Sequence, residues 1–152
     1  MSFTYEHERP SITSDMVILL DRGFNDFDIV MVRRAKDPYA GKLALPVGFM
    51  EMNETVYQAA TRKSLEEIGL NLKNHDVHFV GYFDAVDRDP RGRVVSFAFS
   101  TLIDQETASK IIINEESTEY RLVSVDEFFI SGTEFAFDHK EIVRKAIKNY
   151  LR

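Results

Sequence analysis

The apolar positions of the chain fall into short runs of two different periods, and these runs set the expected elements. Ile12 to Leu20 and Asp26 to Arg34 are rich in Val, Ile and Leu, and the DRGFN segment between them offers Gly and Asn for a turn, which predicts a β-hairpin. Leu43-Ala44-Leu45 reads as a short strand stopped by Pro46. Val77 to Val86 and Arg93 to Ile103 are two further β-rich runs, joined by the turn-forming DRDPRG at 87–92, and Tyr120 to Val125 predicts another strand. Two stretches switch to the helical period. Asn53 is placed to cap a helix over Glu54 to Ile68, with Gly69 where a left-handed C-terminal residue belongs. From Asp138 to Leu151, the residues Ile142, Val143, Ala146, Ile147 and Tyr150 recur at helical spacing and predict a closing amphipathic helix. The order strand, strand, helix, strands, helix gives an α+β class, a mixed sheet sandwiched by helices.

Composition narrows the function. The 152 residues, 44% hydrophobic and 29% charged, match the size and apolar content of one globular domain, expected to run over 1–152. A formal net charge of -6 repels phosphate backbones, so no nucleic-acid partner is expected, and a small anionic substrate needs the help of a cation. The absence of cysteine excludes disulfides, thiolate zinc sites and cysteine nucleophiles, and it fits a reducing, cytoplasmic interior. The longest apolar runs, such as Met16 to Leu20, are too short to cross a bilayer, so no membrane partner is expected either.

The expected helix presents a dense polar face. With Arg62 at zero and about 100° per residue, Glu66 falls at about 40°, Lys63 at about 100° and Glu67 at about 140°. The opposite arc holds Tyr57, Ala60, Ser64 and Ile68 and is the expected core face, with Ser64 at its middle where an aliphatic residue packs better. Taken alone, Arg62 and Glu66 are an ordinary i,i+4 pair on a solvated surface, worth about 0.3–0.5 kcal/mol.

The wider spacing changes that reading. Gly48, then Glu54 after five residues, Arg62 after seven more, then Glu66-Glu67 and Gly69-Leu70 follow the Nudix box, which runs G, five residues, E, seven residues, R-E-U, one residue, E-E, one residue, G-U, where U is aliphatic. The chain therefore resembles the Nudix hydrolases. Leu45-Pro46-Val47-Gly48-Phe49 is similar to the family's L-P-G-G-F. The stretches RDPRGRVVSFAF (88–99), the acidic pair Glu115-Glu116 and AFDH (136–139) resemble the branch that holds ADP-ribose pyrophosphatases and the Nudix-like sensor domains of NAD-metabolism regulators. In those regulators a DNA-binding winged helix follows, which is not expected in this sequence.

The resemblance covers about residues 12–150 and implies the α/β/α sandwich of that family around a mixed β-sheet. It implies attack of water on a phosphorus atom of a nucleoside diphosphate derivative, with Mg²⁺ or Mn²⁺ bound by helix carboxylates. A hard divalent ion takes carboxylate and phosphate oxygens and neutralises charge as the anhydride breaks. Carried over by position, Glu66 and Glu67 are the metal-binding and catalytic carboxylates, and Glu54 assists at the helix entrance. Arg62 orients them by charge-assisted hydrogen bonds, and Gly48 lets the backbone approach metal or phosphate.

Two neighbouring positions depart from the motif. Lys63 stands where the family has a glutamate, and Ser64 replaces the aliphatic residue. The Lys63 ammonium lies one turn from Glu67 and can pair with it, so the metal site is either weakened or rebuilt with Glu51, Glu115, Glu116 or Glu119. For the nucleotide, Arg34, Arg91 and Arg93 are candidates for phosphate or ribose oxygens, and Phe49, Phe83 or Tyr39 for stacking on a base. Arg91 and Arg93 also suit an ordinary surface turn, and Phe83 an ordinary core. His139 is placed to hydrogen-bond near the last helix, while His75 and His78 have only Asp76 beside them, which makes no zinc set. The expected function is a Mg²⁺-dependent pyrophosphohydrolase acting on ADP-ribose or a related compound, with a homodimer expected from the resemblance and from the commonness of twofold oligomers. The alternative, favoured by Lys63, is a Nudix-like domain that binds such a nucleotide as a sensor without efficient turnover.

Overall fold

The computed structural model describes residues 2–151, so the two terminal positions of the expected 1–152 domain lie outside the described residues. β1 (Ser11–Gly23) and β2 (Asp26–Arg34) form the expected antiparallel hairpin. Its two-residue loop is Phe24-Asn25, with φ of 56° and 60°, the left-handed pair whose twist matches that of the two strands. β3 (Leu43–Ala44) and β4 (Val47–Phe49) follow, then α1 (Val56–Ile68), β5 (His78–Phe83), β6 (Val94–Ile103), α2 (Gln105–Ala108), β7 (Ser117–Ser124), α3 (Val125–Ile130) and α4 (His139–Ile147). The strands make one mixed sheet in the order β3-β2-β1-β6-β5, with β4 beside β1 and β7 beside β2. β1 runs parallel to β6 from Ser11 opposite Val94 to Leu20 opposite Ile103, and the other strand pairs are antiparallel.

One strand divides the core into two layers. Val17 and Leu19 of β1 pack with Phe128 of α3 and Ile142, Val143 and Ala146 of α4. Met16, Ile18 and Leu20 point the other way, onto Ala60 and Ile68 of α1 and Ala108 of α2. A period of two buried on both sides reads as an unbroken apolar run, which is why Met16 to Leu20 carries no alternation. Each such side chain contributes about 1.5–3 kcal/mol by leaving water. The result is an α+β sandwich, as expected.

Several boundaries differ from the sequence pattern. α1 is capped by Thr55 and not by Asn53: the Thr55 hydroxyl accepts from Gln58 N at 3.1 Å, and the Gln58 side chain accepts from Thr55 N at 2.9 Å, a reciprocal capping box. Gly69, at φ 74°, closes the helix with its N–H on Leu65 O. β7 starts at Ser117, three residues before the expected Tyr120, because its register with β2 continues to Ser117 opposite Arg34. β5 ends at Phe83 instead of Val86, and α4 ends at Ile147 instead of Leu151. Tyr150 lies in the turn beyond α4, its hydroxyl 2.7 Å from Ser100 Oγ. The sequence pattern did not reveal β4, α2 or α3. Among the described residues no helix is long and apolar enough to cross a membrane.

Candidate functional site

β4 pairs with the N-terminal half of β1, Thr13 opposite Phe49 and Asp15 opposite Val47, and this pairing lays residues 47–49 beside α1. Arg62 ties the two together. Its Nε donates to Glu54 Oε2 at 2.9 Å, its Nη2 to Glu54 Oε1 at 2.6 Å and to Phe49 O at 3.0 Å, and its Nη1 to the Glu66 carboxylate at 3.2 Å. Hydrogen bonds from Arg62 hold the Glu54 carboxyl below the usual carboxylate range, and Glu54 in turn raises the guanidinium. Glu54 also accepts from Glu51 N at 2.9 Å, so it fastens the helix entrance.

Lys63 reaches across Gly48. A Cβ on Gly48 would come within 2.2 Å of Lys63 Cγ, 2.3 Å of Cδ and 2.4 Å of Cε. Where close approach of a metal or phosphate to Gly48 was expected, the lysine stem takes the space. Its Nζ lies 3.6 Å from Glu66 Oε2, 3.6 Å from Glu67 Oε1 and 3.3 Å from Glu116 Oε2. Of the four carboxylates considered for rebuilding the site, Glu116 is the one that arrives. The loop before β7 carries it there, tied by Asn114 N on Glu67 O at 3.1 Å and by Ala35 N on Glu116 O at 3.1 Å. Glu119 pairs with Arg33 at 2.8 Å, Glu51 lies 3.9 Å from Arg62, and Glu115 is exposed.

Glu67 departs from the expected solvated face. It is 5% exposed, and its Oε2 accepts from Val47 N at 3.4 Å. At about 140° from Arg62 it sits at the rim of the polar arc, where β4 covers it. Burial pushes its carboxyl up to about 8, with Glu116 adding to the shift and Lys63 opposing it. Against its own burial, Glu116 is held below the usual range by Glu67 and Lys63. Burial works against the Lys63 charge as well, but Glu67, Glu116 and Glu66 raise it, so it remains an ammonium. Ala60, Ser64 and Ile68 are buried as expected, and the Ser64 hydroxyl is satisfied by Ala60 O at 2.9 Å.

Beside these carboxylates is a cluster of arginine and aromatic side chains. The Arg91 guanidinium lies 5.1 Å from the Phe49 ring and 5.5 Å from Phe137, and Arg34 lies 5.1 Å from Phe137. Tyr39 packs on Phe137 with ring centroids 4.7 Å apart. Asp89 fixes Arg91 through two bonds of 3.0 and 2.8 Å, and Pro38 O fixes Arg34 at 2.7 Å. Half-burial, with Arg91 nearby, lowers the Arg34 guanidinium against the charges of Glu67 and Glu116. Tyr39 and Phe137 stand at φ of 61° and 52°, a backbone region uncommon for aromatic residues. Arg93 donates to Ala85 O at 3.3 Å across the 85–93 loop. Phe83 packs against the core, which removes it as a stacking surface. Phe137 was not a candidate from sequence, although it lies inside the AFDH stretch.

Behind Val47 lies a polar cavity of about 10 Å³, lined by Thr13, Asp15, Arg88, Ser96 and His139 among others, with room for about one water. Asp15 is fully buried, and neither carboxylate oxygen has a hydrogen-bond partner among the described residues. Its Oδ1 is 3.5 Å from His139 Nε2. His139 Nδ1 accepts from Leu45 N at 3.0 Å, which assigns the ring proton to Nε2. Burial pushes Asp15 up to about 7 against the pull of Arg88, and burial takes His139 down to about 3. Arg88 is itself fastened to Asp138, Nε to Oδ2 at 2.8 Å. The sequence signal for this cluster was a single acid inside the apolar run at 12–20.

The comparisons with known proteins agree on one family. The NUDIX domain family model matches residues 12–146. An ADP-ribose pyrophosphatase of Methanocaldococcus jannaschii is 32% identical over 143 residues, 94% of this chain and 74% of that protein. Among solved structures, a MutT/nudix family protein from Enterococcus faecalis superposes with a TM-score of 0.83 at 26% identity. That match covers 97% of this chain and 64% of the other, so this chain spans under two thirds of that protein. The NUDIX domain of Shewanella oneidensis NrtR, solved with ADP ribose, has a TM-score of 0.81 at 19% identity over 95% of this chain and 90% of that one, a likeness of fold.

Proposed function

This chain belongs to the Nudix hydrolases, and from that premise we propose that it cleaves the diphosphate linkage of ADP-ribose or a related nucleoside diphosphate derivative with the help of Mg²⁺ or Mn²⁺. The observation that carries the reading is the meeting of Glu66, Glu67 and Glu116 beside the cluster of Arg34, Arg91, Phe49 and Phe137. The three carboxylates are hard oxygen donors of the kind a divalent ion takes, and they would hold it. When bound, the ion supplies charge neutralisation at the diphosphate and lowers the pKa of water. Among the described residues no three acidic or histidine side chains already stand at metal-binding spacing, so Glu66, Glu67 and Glu116, which face the ammonium of Lys63, would have to close on the ion.

The remaining work falls to groups of the chain itself. Arg62 orients Glu66 and the 49–54 segment. Arg34 and Arg91 bind phosphate oxygens, which suits guanidinium forks better than ammonium groups. The ring faces of Phe49, Phe137 and Tyr39 receive a base. The substrate is a small nucleotide, the acting unit is a single domain, and the domain forms a homodimer.

A second reading is a sensor that binds the nucleotide without turning it over, and the specific observation in its favour is the Lys63 ammonium among the carboxylates. A panel of nucleoside diphosphate derivatives, assayed for AMP and phosphate release and by calorimetry, separates the two. Product from ADP-ribose supports the hydrolase, and heat of binding without product supports the sensor.

A further inference from the structure

Lys63 is not placed as a surface lysine. Its side chain is 13% exposed, its stem lies over Gly48, and its ammonium ends among carboxylates from two separate segments, Glu66 and Glu67 on α1 and Glu116 in the loop before β7. A lysine free to extend into water keeps the hydration of its ammonium and the rotamers of its stem. Here both are given up. Gly48 supplies the groove, since any Cβ there overlaps three successive stem carbons. Backbone bonds from Asn114 to Glu67 and from Ala35 to Glu116, each 3.1 Å, bring the loop carboxylate up to the helix. At 3.6 Å the approaches to Glu66 and Glu67 are longer than ordinary hydrogen bonds, so Nζ meets these two oxygens as an ion pair.

We propose that Lys63 is a resident cation of the site: its ammonium holds the place of a divalent ion between Glu66, Glu67 and Glu116, so that a divalent ion enters only by displacing it. This rests on the reading of the site as one that takes such an ion, and it adds a tethered competitor that is part of the chain. In the metal-free protein the single positive charge of the lysine offsets part of the repulsion among the three carboxylates. A divalent ion cannot share the three carboxylates with an ammonium at the same point, since like charges a few ångströms apart repel strongly even near a protein surface.

The test titrates Mn²⁺ alone, with no nucleotide, into the full chain by calorimetry. The proteins are wild type, Lys63→Met, Lys63→Gln and the double variant Lys63→Met/Glu67→Gln. Methionine keeps an unbranched stem over Gly48 and removes the charge. Both single variants are expected to bind Mn²⁺ at least about tenfold more tightly than wild type. The gain disappears in the double variant, and Mn²⁺ raises the Tm of Lys63→Met more than that of wild type. Equal Mn²⁺ affinity in wild type and both single variants overturns the proposal, and so does the absence of Mn²⁺ binding in all of them. No turnover is read, so a protein that leaves ADP-ribose intact and still shows the tenfold gain refutes the hydrolase and keeps the resident cation.

Discussion

Burial acts on Asp15 and His139 in the same direction when the chain folds, favouring the neutral carboxyl and the neutral imidazole. In the unfolded chain, between about pH 4 and 6.5, the histidine is protonated and the aspartate is not; in the folded protein, with Asp15 at about 7 and His139 at about 3, the reverse holds. The raised Asp15 contributes stability that is fully present below its unfolded value of 3.8 and is lost as pH rises through about 7. The depressed His139 works oppositely, and stability is lost as pH falls from 6.5 toward about 3. The two slopes offset each other across the shared window. Asp15→Asn removes only the first, so its stability relative to wild type climbs as pH rises between about 4 and 7. Urea melts of both proteins at several pH values check this, and a constant difference contradicts it. At this scale the sequence showed which residues were unusual but not what they touch. Lys63 stood out against the motif, yet its partner Glu116 lies 53 residues further along the chain. Arg88 and Asp89 lie in the turn-forming DRDPRG stretch, and the fold buries both.

α1 shows what a periodic segment reveals and what it leaves open. Its end at Ile68, its closing Gly69 and its buried arc of Ala60, Ser64 and Ile68 were legible, because a helix of this length repeats its pattern several times. The cap was not legible, since Asn53 and Thr55 are both good capping residues and only the reciprocal bonds with Gln58 decide between them. Thr55→Ala is therefore expected to cost about 1 kcal/mol in urea unfolding. Asn53→Ala stays within about 0.5 kcal/mol of wild type, and the reverse ranking contradicts the assignment. β4, α2 and α3 are too short to carry a period of their own. β4 exists through its pairing with Thr13 to Asp15, and α2 and α3 through the side-chain caps of Asp104 and Ser124. The early start of β7 has the same kind of cause, a neighbouring strand and not its own residues.

The two core layers share β1, whose alternate side chains belong to opposite faces, so neither layer can open without exposing the other. Together with the proposed homodimer, this predicts one calorimetric unfolding transition whose midpoint rises with protein concentration. Two transitions contradict a single domain, and a concentration-independent midpoint contradicts the dimer. The sandwich also explains how residues from distant segments come together. The sheet fixes β4 against α1, the loop before β7 brings Glu116, and the loops after β2 and before α4 bring Tyr39 and Phe137. The most direct measurement is chromatographic analysis of ADP-ribose incubated with the protein and Mg²⁺ or Mn²⁺. The account predicts AMP and ribose 5-phosphate, with the rate abolished by EDTA and lowered at least about tenfold by Glu67→Gln. ADP-ribose left intact, or cleaved equally fast in chelator, would contradict it.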